Sequence, residues 1–182
     1  MDAHVLVPLK RIDPKSRLAD ALPLEERVQL MRGLLAGVVS AAREAGVERV
    51  TVVTGLSLKG YEVWDDRGLA WNDALAAAMT EVVTAPLVAV ISADLPLIRA
   101  DDVEELIAAT PKRGIAIARA SDGGTNGVAM RPPGIVRTHF GEPRSAAVHA
   151  SLGVPHVVVD LPGLAFDVDT PDDLARMQAA CL

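Results

Sequence analysis

The sequence predicts an α/β fold on a largely parallel sheet, and three observations predict it. Short apolar segments alternate with amphipathic ones from end to end. Hydrophobic residues make up 50% of the chain but aromatic ones only 3%, so the core is built of Val, Leu, Ile and Ala, which suits helices packed on a parallel sheet better than a sandwich. No linker, repeat or low-complexity stretch interrupts the alternation, and 182 residues fit a single domain spanning 1–182.

The strand candidates are Val5–Leu9, Val50–Thr54, Leu87–Ile91, Ile115–Arg119, Val128–Met130 and Val157–Asp160, short apolar or β-branched runs bounded by Gly, Pro or charge and read as buried. Leu24–Ala45 carries an apolar stripe at Val28, Met31, Leu34, Leu35, Val38, Val39 and Ala42 and stops at Gly46, the pattern of an amphipathic helix whose apolar face meets either the core or a second copy. Trp71–Val83 is alanine-rich and helical. Asp101–Ala109 opens on an aspartate suited to capping, with Glu104 three residues on, and ends before Pro111. Ala146–Leu152 reads as a short helix. Thr170-Pro171-Asp172-Asp173 begins the last one: a capping hydroxyl, a proline at the first helical position and two acids in the first turn.

Composition narrows the function classes. A formal charge of −6 without a basic run argues against a nucleic-acid polymer as partner. The longest apolar stretch, Val82–Ile91 broken at Thr84, falls far short of the roughly 20 residues a membrane helix needs. No signal peptide is expected, and the single cysteine, Cys181, excludes an internal disulfide, so a reducing cytoplasm is the expected location.

In such folds ligands bind at the carboxyl ends of the strands, and five segments fall there. Ser92-Ala93-Asp94-Leu95-Pro96 delivers Asp94 from the end of an apolar strand, as a ligand or as a turn aspartate. In Phe166-Asp167-Val168-Asp169-Thr170, extended backbone sends Asp167 and Asp169 to one side. Two adjacent carboxylates repel, and a divalent cation relieves the repulsion; hard oxygen donors favour magnesium over zinc. The alternative is that Asp169 only helps to cap the last helix. Asp122-Gly123-Gly124-Thr125-Asn126-Gly127 is a small-residue turn whose backbone N–H groups and Thr125 and Asn126 side chains could meet an anion, or simply a turn. Ser145, with Arg144 beside it, stands at a helix start where orphan N–H groups favour an anion, and His149, one turn on, reads as a surface histidine. Lys10, Arg11, Lys15 and Arg17 place four cations in eight positions after the first strand, suited to a triphosphate, although the glycine pattern of a P-loop is missing.

Taken in chain order, Val7-Pro8-Leu9-Lys10 with Lys15-Ser16-Arg17-Leu18, Ser92-Ala93-Asp94-Leu95-Pro96-Leu97, Gly124-Thr125-Asn126, Phe140-Gly141 with Ser145 and His149, and Asp167-Val168-Asp169-Thr170-Pro171-Asp172-Asp173-Leu174 resemble one family. It is the 2-phospho-L-lactate or phosphoenolpyruvate guanylyltransferases of coenzyme F-420 biosynthesis, and the resemblance covers nearly the whole chain. It implies a Rossmann-like nucleotidyltransferase fold of the nucleotide-diphospho-sugar transferase type, with a mostly parallel mixed sheet. It implies transfer of GMP from GTP to the phosphate of a phosphorylated three-carbon acid, with loss of pyrophosphate. By position it implies that Asp94, Asp167 and Asp169 hold Mg2+, that Thr125, Gly141 and Ser145 contact the acid, and that Lys10, Lys15 and Arg17 face the GTP phosphates as the catalytic cations. A homodimer and coupling to the next pathway enzyme are the associations it implies.

The chain departs from the family pattern in one place: Glu142-Pro143-Arg144 separates Gly141 from Ser145, a longer spacing than usual. Three rival readings stand beside this one: the same fold with 3-phosphoglycerate as acceptor, the same fold with a molybdopterin, and a catalytically idle nucleotide binder. The molybdopterin version fits less well, because its first loop is glycine-rich where this one is basic.

Overall fold

The computed structural model describes residues 1–10 and 15–180; Arg11 and Cys181 lie outside the described residues. Seven strands form one sheet: β1 (His4–Pro8), β2 (Arg49–Val53), β3 (Glu62–Trp64), β4 (Val88–Ile91), β5 (Gly114–Arg119), β6 (Thr125–Arg131) and β7 (His156–Val159). Their order is β3-β2-β1-β4-β6-β5-β7. All pairings are parallel except the two made by β6, which runs antiparallel to both β4 and β5.

Five helices cover the sheet: α1 (Leu24–Glu44), α2 (Trp71–Glu81), α3 (Ala100–Ala108), α4 (Ser145–Ala150) and α5 (Pro171–Ala180). Because side chains alternate along a strand, each central strand feeds two cores. Val5, Val7, Ala89, Ile91, Ala116 and Ala118 face α1 and α3, while Leu6, Val88, Val90, Ile115 and Ile117 face α2 and α4. The α1 stripe goes into the first of these cores through Met31, Leu35, Val38 and Val39, which resolves the choice between core and second copy for those residues. A third, smaller cluster of Leu18, Leu34, Phe166 and Val168, with Leu174 and Met177 against it, ties the segment after β1 and the start of α5 to α1. No helix among the described residues is long and apolar enough to cross a membrane.

Three expectations are corrected, and one strand is added to them. β3, absent from the strand candidates, is a three-residue edge strand whose one buried side chain is Trp64. β6 begins at Thr125 instead of Val128, since Thr125-Asn126-Gly127 is the first part of a strand and only Asp122–Gly124 forms the hairpin turn. β7 is a sheet edge and not a buried strand: Val157 and Val158 are 40% and 43% exposed. α3 starts at Ala100 after Arg99, so Asp101 is no cap; Asp102 does that work, accepting from the Arg99 N–H at 2.9 Å. The α5 start stands as read, with Thr170 N–H donating to Asp173 at 2.8 Å and Asp173 N–H to Thr170 Oγ1 at 3.3 Å.

Asp102 has a second task. Its other carboxylate oxygen accepts from Gly163 N–H at 3.2 Å, anchoring the segment that leads to Asp167. A Cβ on Gly163 would stand 2.0 Å from Asp102 Oδ2 and 2.8 Å from the Leu97 carbonyl, so backbone would have to move. Gly163→Ala is expected to cost about 2 kcal/mol; an unchanged urea midpoint for this variant would overturn the anchoring role.

Candidate active site

The reversed strand assembles the site. Because β6 runs opposite to its neighbours, its first residues lie at the sheet edge where β1 and β4 end. Ser92 N–H donates to the Asn126 carbonyl at 2.9 Å, which sets Thr125 and Asn126 beside the Ser92–Asp94 turn. The segment before α5 docks on the same edge: Ser121 N–H donates to Ala165 O at 2.8 Å, and Val168 N–H to Asp94 O at 3.2 Å. Val168 is buried in the third cluster, and the period of two turns Asp167 and Asp169 the other way, into a cleft of about 790 Å³.

Asp94, Asp167 and Asp169 converge there, each offering an oxygen within 4.8 Å of the others. Burial raises the Asp167 pKa above the usual carboxylate range, and the Asp94 charge adds to the rise. Asn126 Nδ2 donates to Asp167 Oδ1 at 3.1 Å. Lys15 lies between the other two, its ammonium 2.5 Å from Asp94 and 3.0 Å from Asp169. Burial opposes the Lys15 charge, but the two carboxylates outweigh it and raise its pKa. Arg17 reaches Asp169 at 3.3 Å. Lys15 holds φ 55°, a left-handed backbone rare outside glycine and a form of local strain that collects at functional sites. Thus Lys15 and Arg17 sit on the acids, while Lys10 is an exposed residue of the cleft lining. Three carboxylates against two cations leave one negative charge, and a set of hard oxygen donors at this spacing could hold a divalent metal ion.

Across the cleft lie Thr125, Gly141, Ser145 and Arg144. Gly141 takes φ 78°, and open space surrounds it, so backbone conformation and not crowding calls for glycine there. Gly123, at φ 88°, closes the hairpin turn, where Asp122 accepts from Gly124 N–H at 2.7 Å. Ser145 does not cap α4; Arg144, at φ 54°, holds that position. Ser145 N–H donates to the Glu142 carbonyl at 3.1 Å, and its hydroxyl to Thr125 Oγ1 at 3.0 Å.

His149 is not a surface residue. It is fully buried, with Nδ1 3.2 Å from Thr125 Oγ1 and Nε2 accepting from His139 N–H at 2.9 Å. Burial, followed by the neighbouring His139, lowers its pKa to about 4. A histidine one turn into a short helix reads as exposed, because nothing in the local pattern shows that Thr125 and the His139 backbone close over it. Asn72 was missed altogether: its amide donates to Phe140 O at 3.1 Å and accepts from Phe140 N–H at 3.0 Å. The one available signal was a polar residue at the start of an alanine-rich helix.

A family model described as guanylyl transferase, CofC-like, matches residues 3–178. Phosphoenolpyruvate guanylyltransferase of Sphaerobacter thermophilus is 35% identical over 97% of this chain and 93% of its own. 2-Phospho-L-lactate guanylyltransferase of Haloarcula marismortui is 37% identical over 96% of this chain and 84% of its own. Among solved structures, 2-C-methyl-D-erythritol 4-phosphate cytidylyltransferase from Thermus thermophilus shares the fold, with a TM-score of 0.67 at 18% identity over 100% of this chain and 99% of that one.

Two outcomes follow from the charges. A carboxyl whose pKa rises on folding lowers stability when ionised, so Asp167→Asn, whose amide oxygen can still accept from Asn126, should leave Tm unchanged or raise it while abolishing divalent-ion binding by calorimetry. A Tm lower by more than about 3 °C, roughly 1 kcal/mol for a chain this size, would contradict the assignment. His149, with a folded pKa of about 4 against 6.5, contributes stability that is complete above pH 6.5 and is lost as pH falls toward 4, by roughly 3 kcal/mol at most. Urea unfolding at pH 7 and pH 5 measures the loss, and it should disappear in His149→Asn.

Proposed function

The chain belongs to the CofC-like guanylyl transferase family, and from that premise we propose that it moves GMP from GTP onto the phosphate of phosphoenolpyruvate or 2-phospho-L-lactate, releasing pyrophosphate, as a step of coenzyme F-420 biosynthesis. The observation that carries this reading is the division of one cleft into two anion-handling halves. Asp94, Asp167 and Asp169 stand with Lys15 and Arg17 on one side, and the Thr125–Ser145 hydroxyls with Arg144 on the other. A volume of about 790 Å³ accommodates a nucleoside triphosphate together with a small acid.

The chemistry asks little of a general base. The acceptor phosphate oxygen is already anionic at neutral pH, so no side chain has to remove a proton from it. The work is to bring two anions together in line and to stabilise the charge that develops on the departing pyrophosphate. Asp94, Asp167 and Asp169 are the residues that would hold Mg2+, which when bound supplies charge neutralisation and Lewis acidity at the triphosphate. With the three carboxylates so occupied, Lys15 and Arg17 would be free to turn to the phosphates, with Lys10 in the same cleft lining. Lys15 therefore has two partners in turn: carboxylates before the substrates arrive and phosphate oxygens afterwards.

Pyrophosphate release from GTP with magnesium, measured across phosphoenolpyruvate, 2-phospho-L-lactate, 3-phosphoglycerate and no acceptor, with mass spectrometry of the products, tests the proposal. A guanylylated three-carbon acid is the expected product. Asp94→Asn should lower turnover on the order of 10²- to 10³-fold with an intact fold. Near-normal turnover in that variant would sink the metal assignment, and pyrophosphate release without any acceptor dependence would sink the transfer itself.

A further inference from the structure

The buried hydrogen bonds around His149 can be counted proton by proton. A backbone N–H only donates, so the bond from His139 N–H makes Nε2 an acceptor, and the proton of the neutral ring belongs on Nδ1. That proton faces Thr125 Oγ1, 3.2 Å away, with the Ser145 carbonyl as a second acceptor beside it, and in either case Nδ1 is a donor. The Thr125 and Ser145 hydroxyls carry two protons between them, and the 3.0 Å bond joining them uses one. Whichever way that bond runs, one hydroxyl proton is left over. It cannot go to His149, because both ring nitrogens are spent, and both hydroxyls line the cleft.

The opposite tautomer would reverse the outcome. With Nδ1 unprotonated, Thr125 would donate to the ring and Ser145 to Thr125, and the pair would offer the cleft only lone pairs, which repel an anion. We infer that His149 is a positioning residue of the acceptor side: held as the Nδ1–H tautomer by the His139 backbone, it sets the Thr125–Ser145 pair to donate one hydrogen bond to an anionic oxygen of the phosphorylated acid. The guanylyl-transfer reading enters only in naming that acid.

Two further features agree with this role. Asn72 clamps both polar backbone groups of Phe140, so the segment that orients the ring is fixed from both sides of His139–Phe140. Burial, with His139 close by, keeps the ring neutral at physiological pH, and a doubly protonated ring would lose the His139 bond.

Two measurements test the inference. Nitrogen-15 NMR of the histidine rings in the wild-type protein at pH 7 reads the tautomer directly and is expected to show Nδ1–H for His149. Calorimetric titration of phosphoenolpyruvate is then compared in wild type, His149→Asn and His149→Gln, each saturated with a non-hydrolysable GTP analogue and Mg2+. The shorter amide places its nitrogen near the Nδ1 position and keeps the donor to Thr125; the longer amide reaches toward His139 and gives that donor up. The Asn variant should bind within about threefold of wild type and the Gln variant about tenfold or more weakly, the effect of one hydrogen bond to a charged group, with affinity for the GTP analogue alike in all three. An Nε2–H ring, equal acid affinities in the two variants, a parallel loss of nucleotide affinity, or no phosphoenolpyruvate binding in the wild type would overturn the inference. A wild-type protein that binds the acid in the expected pattern yet forms no guanylylated product would overturn the proposed activity and leave the role of His149 standing.

Discussion

Three carboxylates whose oxygens lie within 4.8 Å of one another would separate if the chain let them. The fold prevents this by drawing them from elements with independent anchors. Asp94 follows β4 at the centre of the sheet. Asp167 and Asp169 sit on a segment held by the Val168–Asp94 and Ser121–Ala165 backbone bonds at one level and by the burial of Phe166 and Val168 at another. The repulsion that remains is offset by Lys15, whose ammonium touches two of the three acids and is itself held in a strained left-handed conformation. An ion pair between a buried lysine and partly exposed carboxylates contributes little net stability, because the ammonium gives up water to form it. Its consequence is positional: the acids are kept together and the cation is kept within reach of the cleft.

The reversal of β6 is the topological condition for everything opposite the acids. Had β6 run parallel to β4, Thr125 and Asn126 would stand at the far edge of the sheet, and neither the Asn126–Asp167 bond nor the Thr125–Ser145–His149 network could form. One hairpin thus brings both halves of the cleft together, with Asn126 touching the acidic side and Thr125, the residue before it, touching the other. The β5–β6 register shifts at these residues, between the Ala118–Gly127 and Arg119–Thr125 pairs, and at this irregularity a single dipeptide serves two neighbouring subsites.

The two halves are stabilised differently. On the acidic side the polar groups are charged and partly exposed, so they respond to ions and to ligands. On the other side Arg144 is exposed, but the Thr125 and Ser145 hydroxyls and the His149 ring are neutral and buried, and every bond among them and the His139 backbone lies in a region where an unpaired polar group is costly. That difference suits a reaction in which cations change partners on one side while the other side holds a small acid in a fixed orientation.

The alternation of β-branched runs with amphipathic stripes determined the fold class, the central strands and the long helices, because burial on both faces imposes that pattern locally. Asp94, Asp167 and Asp169 were legible for the same reason: each follows or interrupts an apolar segment whose end must lie at the ligand edge. The start of α5 was legible because a capping box is a contact between residues three apart. What the sequence by itself did not determine was everything set by pairing at long range. Strand β3 and the edge position of β7 depend on which strands find neighbours. The length of β6 depends on its pairing with β4 as far as Gly127 and with β5 as far as Thr125, which a glycine-rich sequence does not reveal. The burial of His149, the Asn72 clamp and the seat of Lys15 between two acids 79 and 154 residues away were decided only by the tertiary structure, because hydrogen bonds and ion pairs across such separations leave no periodic trace in the chain.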